Sequence, residues 1–409
     1  MSTSLADQQS AGTAAAARPR LHVAGTLRYT TFGLFTMMVW MLWGDFVWRL
    51  MDAILPSIMP FLLKEHHASN LTIQLLSKTI AFVLTFSMSP IVSFRSDRHR
   101  GKYGRRIPYM LWTTPFVGAC LILIGFYKDI TLWLVGSSGT FFGMPIETMY
   151  IVTFGVLLVA FDVFSIFVND VYYYLFNDVV PEKFFTRFQS IFAMVGVLAG
   201  AIFSAWIFPY VLVKDWQWVQ GMDNFKLVMA SAGILYGVGF MVMCYKVKEG
   251  RYPPPPPLDE KHKGRQGPCA DRLSGTRLAG VGRWMDSVGL QVKTYAKECF
   301  THRFYWYFFL SNTCLWMTYA IGTYVGLRNR YTLGVNFKEL GWLGALTSVV
   351  SFIILYPAGW IADKLHPLRV YLVLLAVSIL NSVVQSVWIF RSNLGTQYWF
   401  PVDSRAAEG

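Results

Sequence analysis

Three charged residues lie close together in the first long apolar stretch of the chain. Asp45, Arg49 and Asp52 are separated by four and three residues, so in a helix they lie on one face. Each charge would be costly in hydrocarbon, and we therefore expect this face to border a wet cavity in which the arginine is flanked by its counter-ions. Such carboxylates could bind and release a proton. The alternative interpretation is a structural salt bridge near the outer membrane interface.

A second polar set lies in the fourth apolar stretch, where Asp162, Asn169 and Asp170 interrupt a hydrophobic sequence. Carboxyl groups removed from water hold their protons closer to neutral pH than exposed ones do, which makes them proton carriers. Asp162 is the deeper and is the first candidate for ion coupling. Asp170 and Asp178 lie nearer the end of the stretch, where contact with a basic loop is the alternative role.

Two further groups are candidates for binding. Lys78 follows Gln74 by one turn in the second apolar stretch, where it either pairs with an acid of the first stretch or extends its amine to the interface. In the seventh stretch Asn312 and Trp316 share a helical face, where an amide could bind hydroxyl groups and an aromatic side chain could stack on a ring of a small molecule. Helix packing explains the same face equally well.

The run from Pro90 to Pro108 interrupts two apolar stretches with a concentration of positive charge. Its six basic residues are Arg95, Arg98, Arg100, Lys102, Arg105 and Arg106. We predict that the run is a loop. The tendency of basic residues to remain on the inner side of a membrane predicts a cytoplasmic location.

Composition indicates the class of protein that carries these residues. Hydrophobic residues make up 54% of the 409 residues and charged residues 14%, so several segments must be surrounded by lipid. The formal net charge is +13, and because the basic residues concentrate on one side of the predicted spans, they indicate membrane topology and no nucleic-acid partner. The five cysteines are scattered without metal-ligand spacing, and neither disulfides nor a metal site is expected.

The elements that must position the charged residues are helices, and the sequence predicts an all-α polytopic membrane helical bundle. Nine apolar stretches meet the length that a spanning helix needs. These predicted spans are Thr31–Leu50, Leu71–Phe94, Ile107–Tyr127, Met149–Phe176, Gln189–Val213, Phe225–Tyr245, Phe304–Leu327, Glu339–Ile361 and Val370–Phe390. The first span is expected to continue with Pro56 and Pro60, as a kinked outer end, towards a short outside turn at Lys64–Asn70.

The spans divide the chain into two sets of helices. A six-helix bundle is expected over residues 31–245 and a partial bundle of three helices over 304–390. A disordered cytoplasmic tail, 1–30, precedes them and a polar tail, 391–409, follows. The central segment 246–303 contains five consecutive prolines and is predicted to be a cytoplasmic loop, whose last part is weakly amphipathic and could lie along the membrane surface.

The basic run also carries a family resemblance. Ser93, Asp97-Arg98, Gly104-Arg105-Arg106 and Pro108 resemble the signature loop between the second and third helices of major facilitator superfamily transporters. The pattern is most similar to the glycoside/pentoside/hexuronide:cation symporters and their sucrose-transporter-like branch. The resemblance implies a gating latch, in which Asp97 and the arginines pair with helix ends across the cytoplasmic face. A plain positive-inside anchor would need the arginines but neither the aspartate nor the glycines.

A weaker copy of the run extends from Pro357 to Lys364 and contains Asp363. An internal repeat in equivalent places of two halves is typical of transporters built from repeated bundles. The resemblance implies twelve helices in two sets of six, whereas only three are predicted in the second set. We therefore expect a C-terminal half that is truncated, or alternatively one whose missing helices come from another molecule.

The resemblance implies a secondary active transporter of a sugar or glycoside that works by proton-coupled symport and alternating access. It does not imply an enzyme. The alternatives are a non-transporting membrane sensor or assembly partner, and an inactive fragment of a twelve-helix transporter. The expected partners are the small-molecule sugar and the lipid bilayer. No cofactor is expected, and a proton or sodium gradient supplies the coupling ion. We expect the chain in the inner (plasma) membrane with a cytoplasmic N-terminus.

Overall fold

Most of the residues that the structure describes are helical. A computed structural model describes residues 22–24, 26–136, 140–141, 144–181, 184–212, 223–250, 300–320, 322–331, 333–365 and 367–393, with the single positions 289 and 293. Most of the predicted central loop, most of the predicted N-terminal tail and nearly all of the C-terminal tail lie outside these residues.

The part of the chain before residue 251 forms a bundle of long helices. Their bounds are α1 (Thr31–Glu65), α2 (Asn70–Gln74), α3 (Ile80–Arg98), α4 (Ile107–Gly125), α5 (Tyr127–Val135), α6 (Ile146–Val179), α7 (Phe185–Ile202), α8 (Phe208–Leu212) and α9 (Asn224–Lys246). A π-helical turn, Leu75–Thr79, joins α2 to α3, and another, Phe203–Ile207, joins α7 to α8. Each of these pairs is therefore one continuous helical segment.

Four more helices follow the central segment in the part of the chain that the structure describes. They are α10 (Arg303–Ala320), α11 (Gly322–Tyr331), α12 (Phe337–Lys364) and α13 (Pro367–Asn393). Among the described residues, 7 helical segments are long and apolar enough to cross a membrane, and six of these precede residue 251. The prediction of an all-α membrane bundle is confirmed. The seventh and ninth predicted spans correspond to α10–α11 and α13, which are helical but not among those seven, and their crossing stays a prediction.

Helix α1 covers the predicted first span and its predicted continuation through the two prolines. It begins after Thr30, whose hydroxyl accepts a hydrogen bond from the Gly33 backbone N–H at 3.1 Å, and it continues through Pro56 and Pro60. Its 35 residues extend over about 52 Å, more than the hydrocarbon thickness of a bilayer. Prolines are tolerated inside membrane helices because neighbouring helices and side chains satisfy the backbone groups that they free.

The loop observed in the basic run is shorter than the predicted loop. Helix α3 continues past Pro90 to Arg98, so Asp97 is in its last turn, and the connection to α4 contains only residues 99–106. Arg95 and Arg98 lie in the last helical turn, where a positive charge stabilises the carbonyl end of a helix dipole. We call the end of the bundle where α3 ends and α4 begins the basic end.

Glycines allow two close helix contacts that fix the bundle. A Cβ on Gly118 of α4 would lie 2.9 Å from the Gly233 carbonyl oxygen of α9, and one on Gly233 would lie 2.6 Å from the Gly118 oxygen. Ser204, in the π-helical turn between α7 and α8, lies against Gly341 and Gly344 of α12. Small residues at such crossings permit the backbone contact that associates helices in lipid.

The structure differs from the predicted disordered tail at the last residues of that tail. Strand β1 (His22–Ala24) pairs with β2 (Leu27–Tyr29) in an antiparallel hairpin. The His22 ring contacts the Phe184 ring edge-on, at 5.2 Å between centroids, and Gly250 lies against Thr26 and Leu27. These contacts with the segments after α6 and α9 explain why this part of the tail is ordered.

Candidate functional site

Five charged residues meet at the basic end, and we call them the basic-end cluster: Asp97, Arg105, Arg106, Asp178 and Glu249. Asp178, at the end of α6, is the shared acceptor. Its Oδ2 atom accepts hydrogen bonds from Arg105 Nη2 at 2.7 Å and from Arg106 Nε. All three side chains are largely buried, with 14%, 15% and 7% exposure for Asp178, Arg105 and Arg106. The cluster therefore joins the start of α4 to the end of α6.

Asp97 is the outer member of the cluster. Its carboxylate lies 3.1 Å from Arg106 Nη2 and 3.7 Å from Arg105 Nη1, and the side chain is 53% exposed. The structure thus brings Asp97 together with both arginines, but solvent weakens these pairs. Arg98 is the last residue of α3 and is half-buried. Asp363, the predicted counterpart in the second half, lies near the end of α12, and its side chain is outside the described part of the structure.

Glu249 is a member of the cluster that the sequence analysis did not find. Its side chain has 0% exposure, and its Oε2 atom accepts hydrogen bonds from the backbone N–H of Arg106 at 2.9 Å and of Ile107 at 3.4 Å. Burial raises the pKa of Glu249, the nearby Asp178 carboxylate adds to the rise, and the backbone donors oppose it. Glu249 therefore caps the first turn of α4 from the segment after α9.

Gly104 makes this cap possible, and its replacement provides a test. Its φ of +108° is unfavourable for any other residue, and a Cβ there would collide with the Glu249 side chain, whose own Cβ would be 2.8 Å away. We expect Gly104→Ala to lower the free energy of unfolding by about 2–3 kcal/mol. The thermal midpoint of the purified protein in detergent measures this loss.

Gly101→Ala is the matched control for that substitution. Gly101 lies in the same turn, but its φ is not positive, and the nearest contact of an added Cβ is the movable His99 side chain. We expect a much smaller shift of the midpoint. Equal shifts for the two variants would contradict the role given to Gly104.

The charged face of α1 contains one internal ion pair. Arg49 Nε lies 3.6 Å from Asp45 Oδ1, and Asp45 has 0% exposure. Arg49 also donates a hydrogen bond from Nη2 to the Tyr173 hydroxyl of α6 at 2.8 Å, and a Cβ on Gly196 of α7 would lie 3.3 Å from its Nε. The pair therefore connects α1 with two neighbouring helices. Neither oxygen of Asp45 has a hydrogen-bond partner among the described residues.

Asp52 and Lys78 occupy a more open region. Asp52 is exposed and lies within electrostatic reach of both Arg49 and Lys78, although none of the ion pairs within 4.0 Å among the described residues includes it. Lys78 is exposed in the π-helical turn before α3. Of the predicted triad on α1, the structure thus pairs Asp45 with Arg49 and leaves Asp52 apart.

Helix α6 carries three candidate residues in its second half and at its centre. Asp162 is the middle of this 34-residue helix, half-buried, and no ion pair or hydrogen bond to its carboxylate occurs among the described residues. Asn169 and Asp170 each have a buried oxygen, Oδ1 and Oδ2 respectively, without a hydrogen-bond partner in that part of the chain. Asp170 lies beside Ser89 of α3 and not in the basic-end cluster.

The candidates in the seventh predicted span lie on α10. The Asn312 side chain donates a hydrogen bond to the Phe308 carbonyl oxygen of its own helix at 3.0 Å. Trp316 lies one turn further along α10, and its side chain is outside the described residues. The geometry of a sugar-stacking face at these two positions therefore stays a prediction.

The fold and the site define a class of protein. The chain is a multi-pass membrane protein with ionisable residues inside its spanning helices, and such residues mark the path of a substrate or ion in transport proteins. A family profile described as Major Facilitator Superfamily matches residues 41–400, a range that includes every candidate site residue. The chain therefore belongs to the Major Facilitator Superfamily and is a membrane transporter of this type. A search of curated proteins found no match.

Proposed function

We propose that the chain moves a sugar or glycoside across the inner membrane by proton-coupled symport and alternating access. The observation that carries the proposal is the position of Asp162, a half-buried carboxylate at the middle of α6 without a cation beside it in the described structure. Holding a charge there without a partner is costly, and protonation removes the charge. Inside the bundle the neutral carboxyl group costs less free energy than the carboxylate, so this side chain is suited to carry a coupling proton.

The Asp45–Arg49 pair supports alternating access within the same proposal. Its 3.6 Å separation is longer than a hydrogen bond, while Arg49 is also bound to Tyr173. Arg49 can therefore exchange partners when a proton or substrate arrives. A shift of this one side chain would act on α1, α6 and α7 together, since it contacts all three helices.

The basic-end cluster supports a gate at the cytoplasmic face. Contacts between carboxylate and guanidinium groups join the end of α3, the start of α4, the end of α6 and the segment after α9. We place Asp97, Arg98, Gly104, Arg105 and Arg106 in this gate, with Asp363 as the equivalent in the second half. The basic end faces the cytoplasm in this proposal, in agreement with the positive-inside tendency.

The substrate class rests on the sequence resemblance to glycoside and sucrose carriers. In this proposal Asn312 and Trp316 bind sugar from α10, while Asp52, Lys78, Asn169 and Asp170 provide further polar groups for the substrate or ion.

Uptake into proteoliposomes tests the proposal. The purified chain is reconstituted, and the uptake of a panel of labelled mono- and disaccharides and glycosides is measured with an inward proton gradient, with a sodium gradient and with neither. We expect accumulation of at least one sugar under the proton gradient and its collapse with a protonophore. Asp162→Asn is expected to reduce this accumulation to the level of empty vesicles.

Asp223→Asn is the matched control, because it removes the same charge. Asp223 is exposed and lies just before α9, outside the spans. This variant should accumulate sugar as the unmodified chain does. Accumulation driven by sodium alone would overturn the proton coupling. No gradient-dependent uptake over the whole panel would favour a membrane sensor or assembly partner.

A further inference from the structure

A cavity of about 730 Å³ opens at the basic end, beside the cluster. It lies between the turn that connects α3 to α4 and the segment that follows α9. Its charged lining comes from both sides. Four cationic side chains contribute to it, namely those of Arg100, Lys102, Arg105 and Lys248.

The cavity has an excess of positive charge. The acidic residue in its lining is Glu249, whose carboxylate is fully buried and is engaged by the N-terminal backbone of α4 and by Arg105. Lys102 and Lys248 are exposed, and neither forms an ion pair with an acidic residue in the part of the chain that the structure describes. The rim of the cavity is therefore suited to an anion.

The walls of the cavity are amphipathic. Ile107 and Leu111, on the first turns of α4, provide an apolar surface, while the Tyr103 and Tyr245 rings lie at the mouth with 60% and 66% exposure. Aromatic side chains with a polar tip are typical of the region where membrane helices leave the hydrocarbon. The Lys246 amine, which lies over the Trp40 ring at 5.8 Å, marks the same level at the end of α9.

We propose that this cavity binds the headgroup of an anionic phospholipid. The phosphate is held at the rim by Lys102 and Lys248, and an acyl chain follows the apolar wall of Ile107 and Leu111. Basic pockets between membrane helices bind lipid phosphates in this manner. A soluble phosphate would bind the same cations but would gain nothing from the apolar wall. This difference distinguishes a phospholipid from free phosphate as the ligand.

Lipid titration in nanodiscs tests the assignment. The full chain is placed in nanodiscs of phosphatidylcholine, and fluorescent phosphatidylglycerol is titrated against it, with fluorescent phosphatidylcholine as the neutral probe. We expect saturable binding of phosphatidylglycerol only. The double variant K102Q/K248Q should weaken that binding by about 30-fold, since each lysine near a membrane surface contributes a factor of about five.

The matched control is K64Q/K128Q, which removes the same charge from Lys64, in the last turn of α1, and from Lys128, in the first turn of α5, both away from the basic end. It should bind phosphatidylglycerol as the unmodified chain does, and the thermal midpoints of both double variants in phosphatidylcholine nanodiscs verify that they are folded. Competition by inorganic phosphate at millimolar concentration would overturn the lipid assignment in favour of a soluble anion. Equal binding by K102Q/K248Q and the unmodified chain would overturn the site itself.

Discussion

Replacing Asp178 by alanine is expected to lower the free energy of unfolding by about 3 kcal/mol, the low end of the range for breaking a buried ion pair. The carboxylate is 14% exposed and accepts hydrogen bonds from two arginines that are themselves buried. Its removal leaves two guanidinium groups, which have Asp97 and Glu249 near them among the described residues. For a bundle of this size the loss corresponds to a midpoint about 6–12 °C lower.

Asp97→Ala is the matched control for Asp178→Ala. Asp97 contacts the same two arginines, but it is 53% exposed, and a solvated ion pair contributes about 1 kcal/mol or less. Both variants remove one carboxylate from the cluster, and both can be measured by the thermal midpoint in the same detergent. If Asp97→Ala destabilised the protein as much as Asp178→Ala, the latch would be centred on the signature aspartate and not on the end of α6.

The sequence predicted the local part of the basic end and gave contact with the basic loop as the alternative role of Asp178, but it did not find Glu249. Asp97, Arg105 and Arg106 were found because they lie within one short run that carries the family signature. Glu249 is separated from Arg106 by 143 residues, and nothing in its own segment distinguishes it except that it is an acid among Lys246, Lys248 and Arg251. Tertiary proximity of this kind cannot be read from a single sequence.

Helix positions were predicted well because hydrocarbon imposes a length on apolar segments. The predicted third and sixth spans agree with α4 and α9 to within two residues at each end. An error occurred at Pro90, where a proline followed by arginines was interpreted as the start of a loop. Helix α3 continues for eight more residues, because a membrane helix tolerates an internal proline and basic side chains stabilise its last turn.

The charged face of α1 shows where helical spacing ceases to be informative. Positions four and three residues apart share a face, yet Asp45 is fully buried while Asp52 is exposed. The spacing predicts which side chains point in one direction, but the neighbours at each height along the helix decide their burial. Tyr173 and Gly196, which border Arg49, come from α6 and α7 and could not be assigned to it from the sequence.

The burial of Asp45 leads to the second large expected effect, an asymmetry between the two members of its ion pair. Replacing Arg49 by methionine leaves a carboxylate with 0% exposure without its cation, and we expect a loss of about 3–5 kcal/mol. Replacing Asp45 by asparagine leaves Arg49, which is 34% exposed and keeps its hydrogen bond to Tyr173, so a smaller loss of about 1–2 kcal/mol is expected.

The double variant D45N/R49M distinguishes a true pair from two separate contributions. If Arg49 mainly neutralises Asp45, the double variant should be more stable than R49M alone, because it no longer contains an unpaired buried charge. Thermal midpoints of the four proteins in one detergent complete the cycle. Additive losses would mean that Arg49 acts through Tyr173 and α7 and not through Asp45. In that case Asp45 would have no cation of its own in the bundle, and it would replace Asp162 as the first candidate for carrying the coupling proton.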